Sequence, residues 1–494
     1  MNKNRNLSNV LKIVLTLMFL MASINVALGS PDITKSIPVC GKESSGYVRC
    51  MSYVVVNNLG EVETISPFAA YGPNDFLGAY NLGTGMTSTK KTIAIIDAYD
   101  DPNMVSDLKV YSQKFGLPLL DSTCPVSSGT SAHPCFQKVD QRGSTHYPSF
   151  DRGWALEISM DVEVAHAICK NCNILLVEAD SASYVNIMKA FDRAVAMGAD
   201  IISNSYGSSE FPTETSLDSH FNLPGKAITF SSGDDGYGTE YPAASPYVTS
   251  VGGTTLRTNP RSETTWGGAG SGCSRYERKP SFQTDIGCSK RTIADVSADA
   301  DPATGAAVYD STYGGWVKVG GTSLSAPLIA GVYALARGFS GKGNEVPYRN
   351  KNYGVNIYDV TRGGNGNCGN TYLCTAGPGY DGPTGLGSPI GIGAFGGVPP
   401  TGITVVSPNG GENWARGSTK LITWTLTGSP GPNVKILLYK GGILKNTISS
   451  STPNDGSYSW IVPLSLPIGS DYKIKIMSTS STYNDLSNNN FKIS

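Results

Sequence analysis

The 494-residue sequence predicts an α/β fold, a parallel sheet with helices on both faces, followed by a small antiparallel β-sandwich. Three observations predict it. Short, nearly all-apolar runs alternate with longer helical runs between Thr92 and Phe230, as parallel strands buried on both faces require. The composition then changes after Ile390, where Gly391-Ile392-Gly393-Ala394-Phe395-Gly396-Gly397-Val398-Pro399-Pro400 reads as a linker. Beyond it, apolar and polar residues alternate with the period of a strand. At this length one core stops growing, so two or more domains are expected.

The elements follow in chain order. Lys3, Arg5 and Lys12 precede the apolar run from Ile13 to Leu20, and Ala27-Leu28-Gly29 supplies small residues before Ser30, so residues 1–29 read as a secretory signal peptide. An uncleaved membrane anchor is the alternative, but the stretch is short and interrupted by Ser23 and Asn25, and no later segment could span a bilayer. Residues 30–70 show little periodicity beyond Tyr53-Val54-Val55-Val56 and read as a short leader or N-terminal extension.

The large domain is expected over residues 71–393. It holds strands at Thr92–Asp97, Asn173–Glu178, Asp200–Ser205 and Ala227–Phe230, with helices at Asp107–Phe115, Trp154–Ile168 and Tyr184–Met197. Residues 394–402 form the linker, and 403–494 the sandwich. In the sandwich Ile422, Trp424 and Leu426 share one strand face, and Tyr472, Ile474 and Ile476 oppose Lys473 and Lys475 on another. Turns at Asn409-Gly410-Gly411 and Asn454-Asp455-Gly456 separate such strands.

Lys and Arg number 38 against 39 Asp and Glu, without long runs of either sign, so neither nucleic acid nor an anionic membrane is favoured as a partner. Ten cysteines fit an oxidising compartment. Their spacing suggests five local pairs: Cys40–Cys50, Cys124–Cys135, Cys169–Cys172, Cys273–Cys288 and Cys368–Cys374. Cys169 and Cys172 could also be half of a zinc site, but no second close pair follows.

Gly320-Gly321-Thr322-Ser323-Leu324-Ser325-Ala326-Pro327 is a glycine-tight turn that presents Ser323 and runs into an apolar helix. A serine so placed reads as a nucleophile that needs a base. The chain has only four histidines. On a helical wheel Glu157 and Asp161 lie together at the centre of a stripe made by Trp154, Ile158, Val164, Ala165 and Ile168. Like charges at this spacing are unfavourable on a surface; buried, they repel each other into sharing a proton, which makes a coupled base. Ser159 and His166 fall on the polar face, so His166 reads as an exposed histidine. In Ser231-Ser232-Gly233-Asp234-Asp235-Gly236, after the strand ending at Phe230, Asp234 projects from the carboxyl end of the sheet. Protonated, it could donate to a developing oxyanion, which implies acid working conditions; an ordinary Asp-Gly turn is the alternative. Asp97 ends a buried strand, either supporting the carboxylates or forming a turn with Asp100 and Asp101.

These residues resemble the sedolisins, or serine-carboxyl peptidases, which have a subtilisin-like fold. The resemblance runs from near Asn74 to near Ile390 and includes Tyr241-Pro242-Ala243-Ala244-Ser245-Pro246-Tyr247-Val248, Gly252-Gly253-Thr254 and Ala300-Asp301-Pro302-Ala303-Thr304-Gly305. It implies that Ser323, Glu157 and Asp161 form a catalytic triad, that Asp234 stabilises the oxyanion, and that the substrates are proteins or peptides. It further implies one structural Ca2+, held by Asp359, Val360, Gly377, Gly379 and Asp381, and hard oxygen donors of this kind suit that ion. Ser203 to Gly207 is expected to line the cleft as an edge for an extended peptide, with Tyr206 touching substrate.

Two features depart from the family pattern. Sedolisins usually carry a prosegment the size of a domain, whereas this leader is short. The tail, with Val406-Ser407-Pro408-Asn409-Gly410-Gly411-Glu412-Asn413-Trp414 and Asp455-Gly456-Ser457-Tyr458-Ser459-Trp460, looks like the Ig-like modules of secreted and cell-wall proteins, and is expected to contact a cell surface or polysaccharide. The expectation is a secreted acid endopeptidase. A silent adhesion protein is the runner-up, and a hydrolase with His146 as base is a third reading.

Overall fold

The computed structural model describes residues 35–42, 44–83, 91–130, 132–336, 338, 341–396, 402–427, 431–480 and 483–494. The expected signal peptide, leader residues 30–34 and linker residues 397–401 lie outside the described residues.

An eight-stranded sheet carries the large domain. From one edge it runs Arg261–Thr265, Thr249–Thr258, Ala227–Ser231, Ile201–Asn204, Thr92–Ala98, Asn173–Ala179 and Phe136–Asp140, and Val296–Asp299 joins Thr249–Thr258. Its strands are parallel apart from the hairpin of Thr249–Thr258 with Arg261–Thr265. The chain lays successive strands on one side of Thr92–Ala98 and then on the other, which opens a crevice at the carboxyl ends of the strands. Every residue of Thr92–Ala98 and Asn173–Ala179 is buried, which is why both read as apolar runs. Their side chains alternate: Ile93 and Ile95 enter the core shared with helices Arg152–Ile168 and Thr322–Leu335, and Ala94 and Ile96 the core shared with Tyr184–Ala196.

Helix Arg152–Ile168 corrects the wheel. It is buried without a break from Trp154 to Ile168. His166 is buried, not exposed, with its Nε2 3.0 Å from Pro118 O, and Ser159 donates to Asp101 Oδ2 at 3.2 Å. The cause is enclosure: helices Met104–Phe115 and Thr322–Leu335 and strand Ala306–Asp310 all pack on it, leaving no face for water.

The segment expected to be a leader or N-terminal extension is woven into two further sheets. Ser36–Pro38 and Tyr53–Val55 lie in a four-stranded sheet with Gly315–Gly320 and Ala306–Asp310, while Arg49–Cys50 pairs with Tyr206–Ser209, which also pairs with Glu240–Tyr241. All five expected disulfides form. Cys169 and Cys172, bonded to each other, are not zinc ligands.

In the tail a three-stranded sheet, Gly402–Ser407, Thr419–Thr427 and Ser457–Ile461, and a six-stranded sheet built around Asn433–Lys440 and Gly469–Ser478 enclose one core. Trp414, Ile422, Trp424, Trp460, Ile474 and Phe491 fill it. Leu426, expected beside Ile422 and Trp424, is instead 38% exposed near the strand's end. Among the described residues no helix is long and apolar enough to cross a membrane.

Candidate active site

Ser323 stands in the first turn of helix Thr322–Leu335, after Gly321 at φ +110°. That conformation suits only glycine, and a Cβ at Gly321 would collide with Met51 O and lie 2.6 Å from Asp234 Oδ2. The turn therefore brings a nucleophile, a helix N-terminus and a carboxyl group together. Ser323 Oγ donates to Ser205 O at 3.1 Å and accepts from Met51 N–H at 3.0 Å. Its own N–H donates to Met51 O at 2.9 Å.

Glu157 is buried, and its Oε2 accepts a short hydrogen bond from Ser52 Oγ. Burial pushes its carboxyl up to about 8, while the neighbouring Ser323 and Ser52 hydroxyls draw it back. Oε1 accepts no hydrogen bond, because the Ser323 hydroxyl is turned to Ser205 O. Asp161 Oδ1 accepts from Ser205 Oγ at 2.9 Å. Burial, then the Glu157 charge, holds Asp161 well above the usual carboxylate range.

Asp97 lies within strand Thr92–Ala98 and makes none of the hydrogen bonds expected to support the other carboxylates. It is fully buried with neither carboxyl oxygen hydrogen-bonded, and burial followed by the charges of Asp161 and Glu157 raises it strongly. Three acids thus form one low-dielectric group that cannot ionise together.

Asp234 follows the strand Ala227–Ser231, beyond Gly233 at φ +118°. Its Oδ1 accepts the Thr322 N–H and the Thr322 hydroxyl, each at 2.7 Å. Its Oδ2 has no partner. Burial lifts the carboxyl to about 7, against the lowering effect of Thr322 and the Arg49 charge. Below that pH the carboxyl is neutral, and Oδ2 is the oxygen left to carry the proton.

The structure thus brings together Ser323, Glu157, Asp161 and Asp234, from segments distant in sequence. His146 is exposed and pairs with Ser144 Oγ at 3.2 Å, so it does not serve Ser323. Tyr206 corrects another expectation: its ring is buried beside Trp154 and Phe230, and its hydroxyl donates to Asn204 Oδ1 at 2.7 Å. Side chains alternate along a strand, so this residue offers the cleft its backbone. Met51 and Ser52 are the neighbours that sequence reasoning did not single out.

Asp359 and Asp381 face one loop. Asp359 Oδ1 and Oδ2 accept from Gly379 N–H at 3.2 and 3.0 Å, and Asp381 Oδ2 from Gly377 N–H at 3.1 Å. Burial, with the Asp359 charge adding to it, raises Asp381 to about 7. Two carboxylates sharing a partly buried loop suit a hard divalent cation. Among the described residues no group of three or more His, Cys, Asp or Glu could hold a metal; the expected set needs only two carboxylates, with main-chain carbonyls supplying the rest.

The fold and the site define a domain of the subtilase type. Residues 155–349 match the subtilase family model, and residues 407–493 match the Kre9/KNH-like N-terminal Ig-like domain. Kumamolisin from Bacillus sp. (strain MN-32) is 32% identical over 381 residues, covering 67% of this chain and 65% of the relative. Sedolisin from Pseudomonas sp. (strain 101) is 27% identical over 386 residues, 69% of this chain and 63% of the relative. The chain therefore spans a little under two thirds of these relatives. A solved structure of Pseudomonas sedolisin, a serine-carboxyl proteinase complexed with pseudo-iodotyrostatin, superposes with a TM-score of 0.54 at 27% identity, covering 65% of this chain and 95% of that one. The large domain belongs to the sedolisin family.

Proposed function

We propose that the protein is a secreted serine-type endopeptidase that cleaves proteins in acid through Ser323, Glu157 and Asp161. One observation carries the reading: a peptide carbonyl, Met51 O, lies on the Ser323 N–H, next to the carboxyl of Asp234. In the reaction Ser323 Oγ attacks a substrate carbonyl carbon while its proton passes to Glu157 Oε1. The oxyanion takes hydrogen bonds from Ser323 N–H and Asp234 Oδ2–H. Glu157 then protonates the leaving nitrogen as the C–N bond breaks. Water adds to the acyl-enzyme, gives a proton to Glu157, and Ser323 leaves with that proton restored.

Asp234 must be protonated while the Glu157 group carries one negative charge. Burial raises both carboxyls, Glu157 to about 8 and Asp234 to about 7. Met51 and Ser52 contribute to that burial. Withdrawing the leader would hydrate the site and lower both values into acid.

Asp359 and Asp381, with the carbonyls of Val360, Gly377 and Gly379, would hold one structural Ca2+, which ties these loops together. Export is supported by five disulfides. The Ig-like match supports a cell-surface or polysaccharide contact for the tail. The deciding experiment is cleavage of denatured protein between about pH 3 and 7, where carboxyl groups titrate, by the wild type, Ser323→Ala and Glu157→Ala. Activity confined to the wild type supports the proposal; equal activity in all three sinks the mechanism, and none in the wild type favours the adhesion reading.

A further inference from the structure

The leader crosses the site in the register of a peptide about to be cut. Met51 N–H donates to Ser205 O at 3.1 Å, and Met51 O accepts from Ser323 N–H at 2.9 Å. Upstream, Arg49 and Cys50 pair antiparallel with Gly207 and Tyr206 on the open edge. Downstream, Ser52 Oγ rests on Glu157. The Met51–Ser52 bond therefore lies at the nucleophile, and Arg49 is the third residue before it.

Arg49 is buried despite its charge. Its Nη2 meets Asp235 Oδ2 at 2.5 Å and lies 3.6 Å from Glu240 Oε1. The Asp235 side chain is 67% exposed, so its ion pair is screened by water, but that of Glu240 is only 13% exposed. Glu240 is also seated: a Cβ at Gly233 would lie 2.8 Å from its Oε1, and one at Gly207 2.9 Å from its Oε2. Two glycines thus make room for a carboxylate on a strand that, like the leader, pairs with Tyr206–Ser209. A carboxylate so enclosed favours a cation opposite it.

We propose that Asp235 and Glu240 form a cation-selecting subsite, so that the cleft prefers protein substrates with Arg or Lys three residues before the cut bond. The inference rests on the peptidase reading, and its test has an arm that needs no catalysis. In the full chain carrying Ser323→Ala, amide hydrogen exchange at Met51 is followed with Arg49→Ala, with Arg49→Lys, and with Asp235→Asn plus Glu240→Gln. Exchange is expected to rise about tenfold in the first and third, the worth of one charge-assisted hydrogen bond, and little in Arg49→Lys. Protection of Thr92–Ala98 verifies the fold. Unchanged exchange at Met51 overturns the subsite.

The second arm gives the active protein peptides that differ only at the third position before the cut, with Arg, Lys, Ala or Glu there. kcat/KM for Arg is expected to exceed that for Ala about tenfold, and the ratio to approach one in Asp235→Asn plus Glu240→Gln. Equal rates for Arg and Ala in the wild type overturn the proposal. If no peptide and no denatured protein is cut, the peptidase reading falls instead and the exchange arm decides the subsite.

Discussion

Thr322 binds one oxygen of Asp234 twice, through its N–H and its hydroxyl, both at 2.7 Å. This clamp fixes the carboxyl plane and leaves Oδ2 unpartnered on the side of Gly321. One oxygen of Asp234 is thus clamped and the other left without a hydrogen-bond partner.

Asp234→Ala is expected to lower kcat by roughly 10²- to 10³-fold, the usual cost of losing an oxyanion donor. Asp234→Asn keeps an N–H donor and should retain more. Burial holds Asp234 above the usual carboxylate range; on the acid side of its titration it is neutral and donates, and above it the ionised group repels the oxyanion, so the rate should fall as pH rises. That alkaline limb should weaken in Asp234→Asn, which does not titrate there, and kcat measured against pH checks it.

Gly321→Ala should be severe. A residue with a side chain at φ +110° is strained by about 1–3 kcal/mol, and its Cβ would press on Met51 O and Asp234 Oδ2. The expected outcome is a lower Tm together with a loss of kcat exceeding about tenfold, read by calorimetry and by steady-state kinetics.

Stability should be greatest in acid. Glu157 is raised to about 8, Asp234 to about 7 and Asp101 to about 7, all with burial as first cause. Unfolded, such groups titrate near pH 4. Between that value and the folded one these groups bind more protons in the native state than in the unfolded, so their contribution is fully present below about pH 4 and declines as pH rises towards 7–8, while buried His166, lowered to about 4, subtracts from it as pH falls through that range. Tm at fixed free calcium should drop by roughly 5 °C or more from pH 4 to pH 8. A Tm that climbs over this range contradicts the assignment, and Glu157→Gln should flatten the slope.

Chelation of Ca2+ should lower Tm by several degrees, since an ion at about a hundred times its Kd adds about 2.7 kcal/mol. Asp381→Asn should abolish the difference between chelated and calcium-loaded protein, as read by thermal unfolding of both forms.

What the sequence disclosed depended on distance along the chain. The paired carboxylates Glu157 and Asp161 were legible because a helix turn relates them, and the five disulfides because their partners lie 3 to 15 residues apart. His166 was misjudged because a wheel describes one helix, while burial here comes from neighbours on every side. Met51 and Ser52 carry no periodic signal, and Met51 meets Ser323 across 272 residues of sequence. The Tyr206 ring is buried beside Trp154 and Phe230, which the pattern of its own short segment does not disclose.

The N-terminal segment is fastened on both sides of Ser323. Arg49–Cys50 lies on one sheet and Tyr53–Val55 on another, and Val39 N–H spans from the first stretch to Ser52 O at 2.9 Å. A nick between Met51 and Ser52 would therefore leave both new ends docked, and the nicked protein would elute with the intact one from a native sizing column. Cys40 and Cys50 both lie before that bond and the other four disulfides after it, so none joins the fragments. A denaturing gel would separate them even without reductant, and a processing assay that relied on native size alone would miss the event.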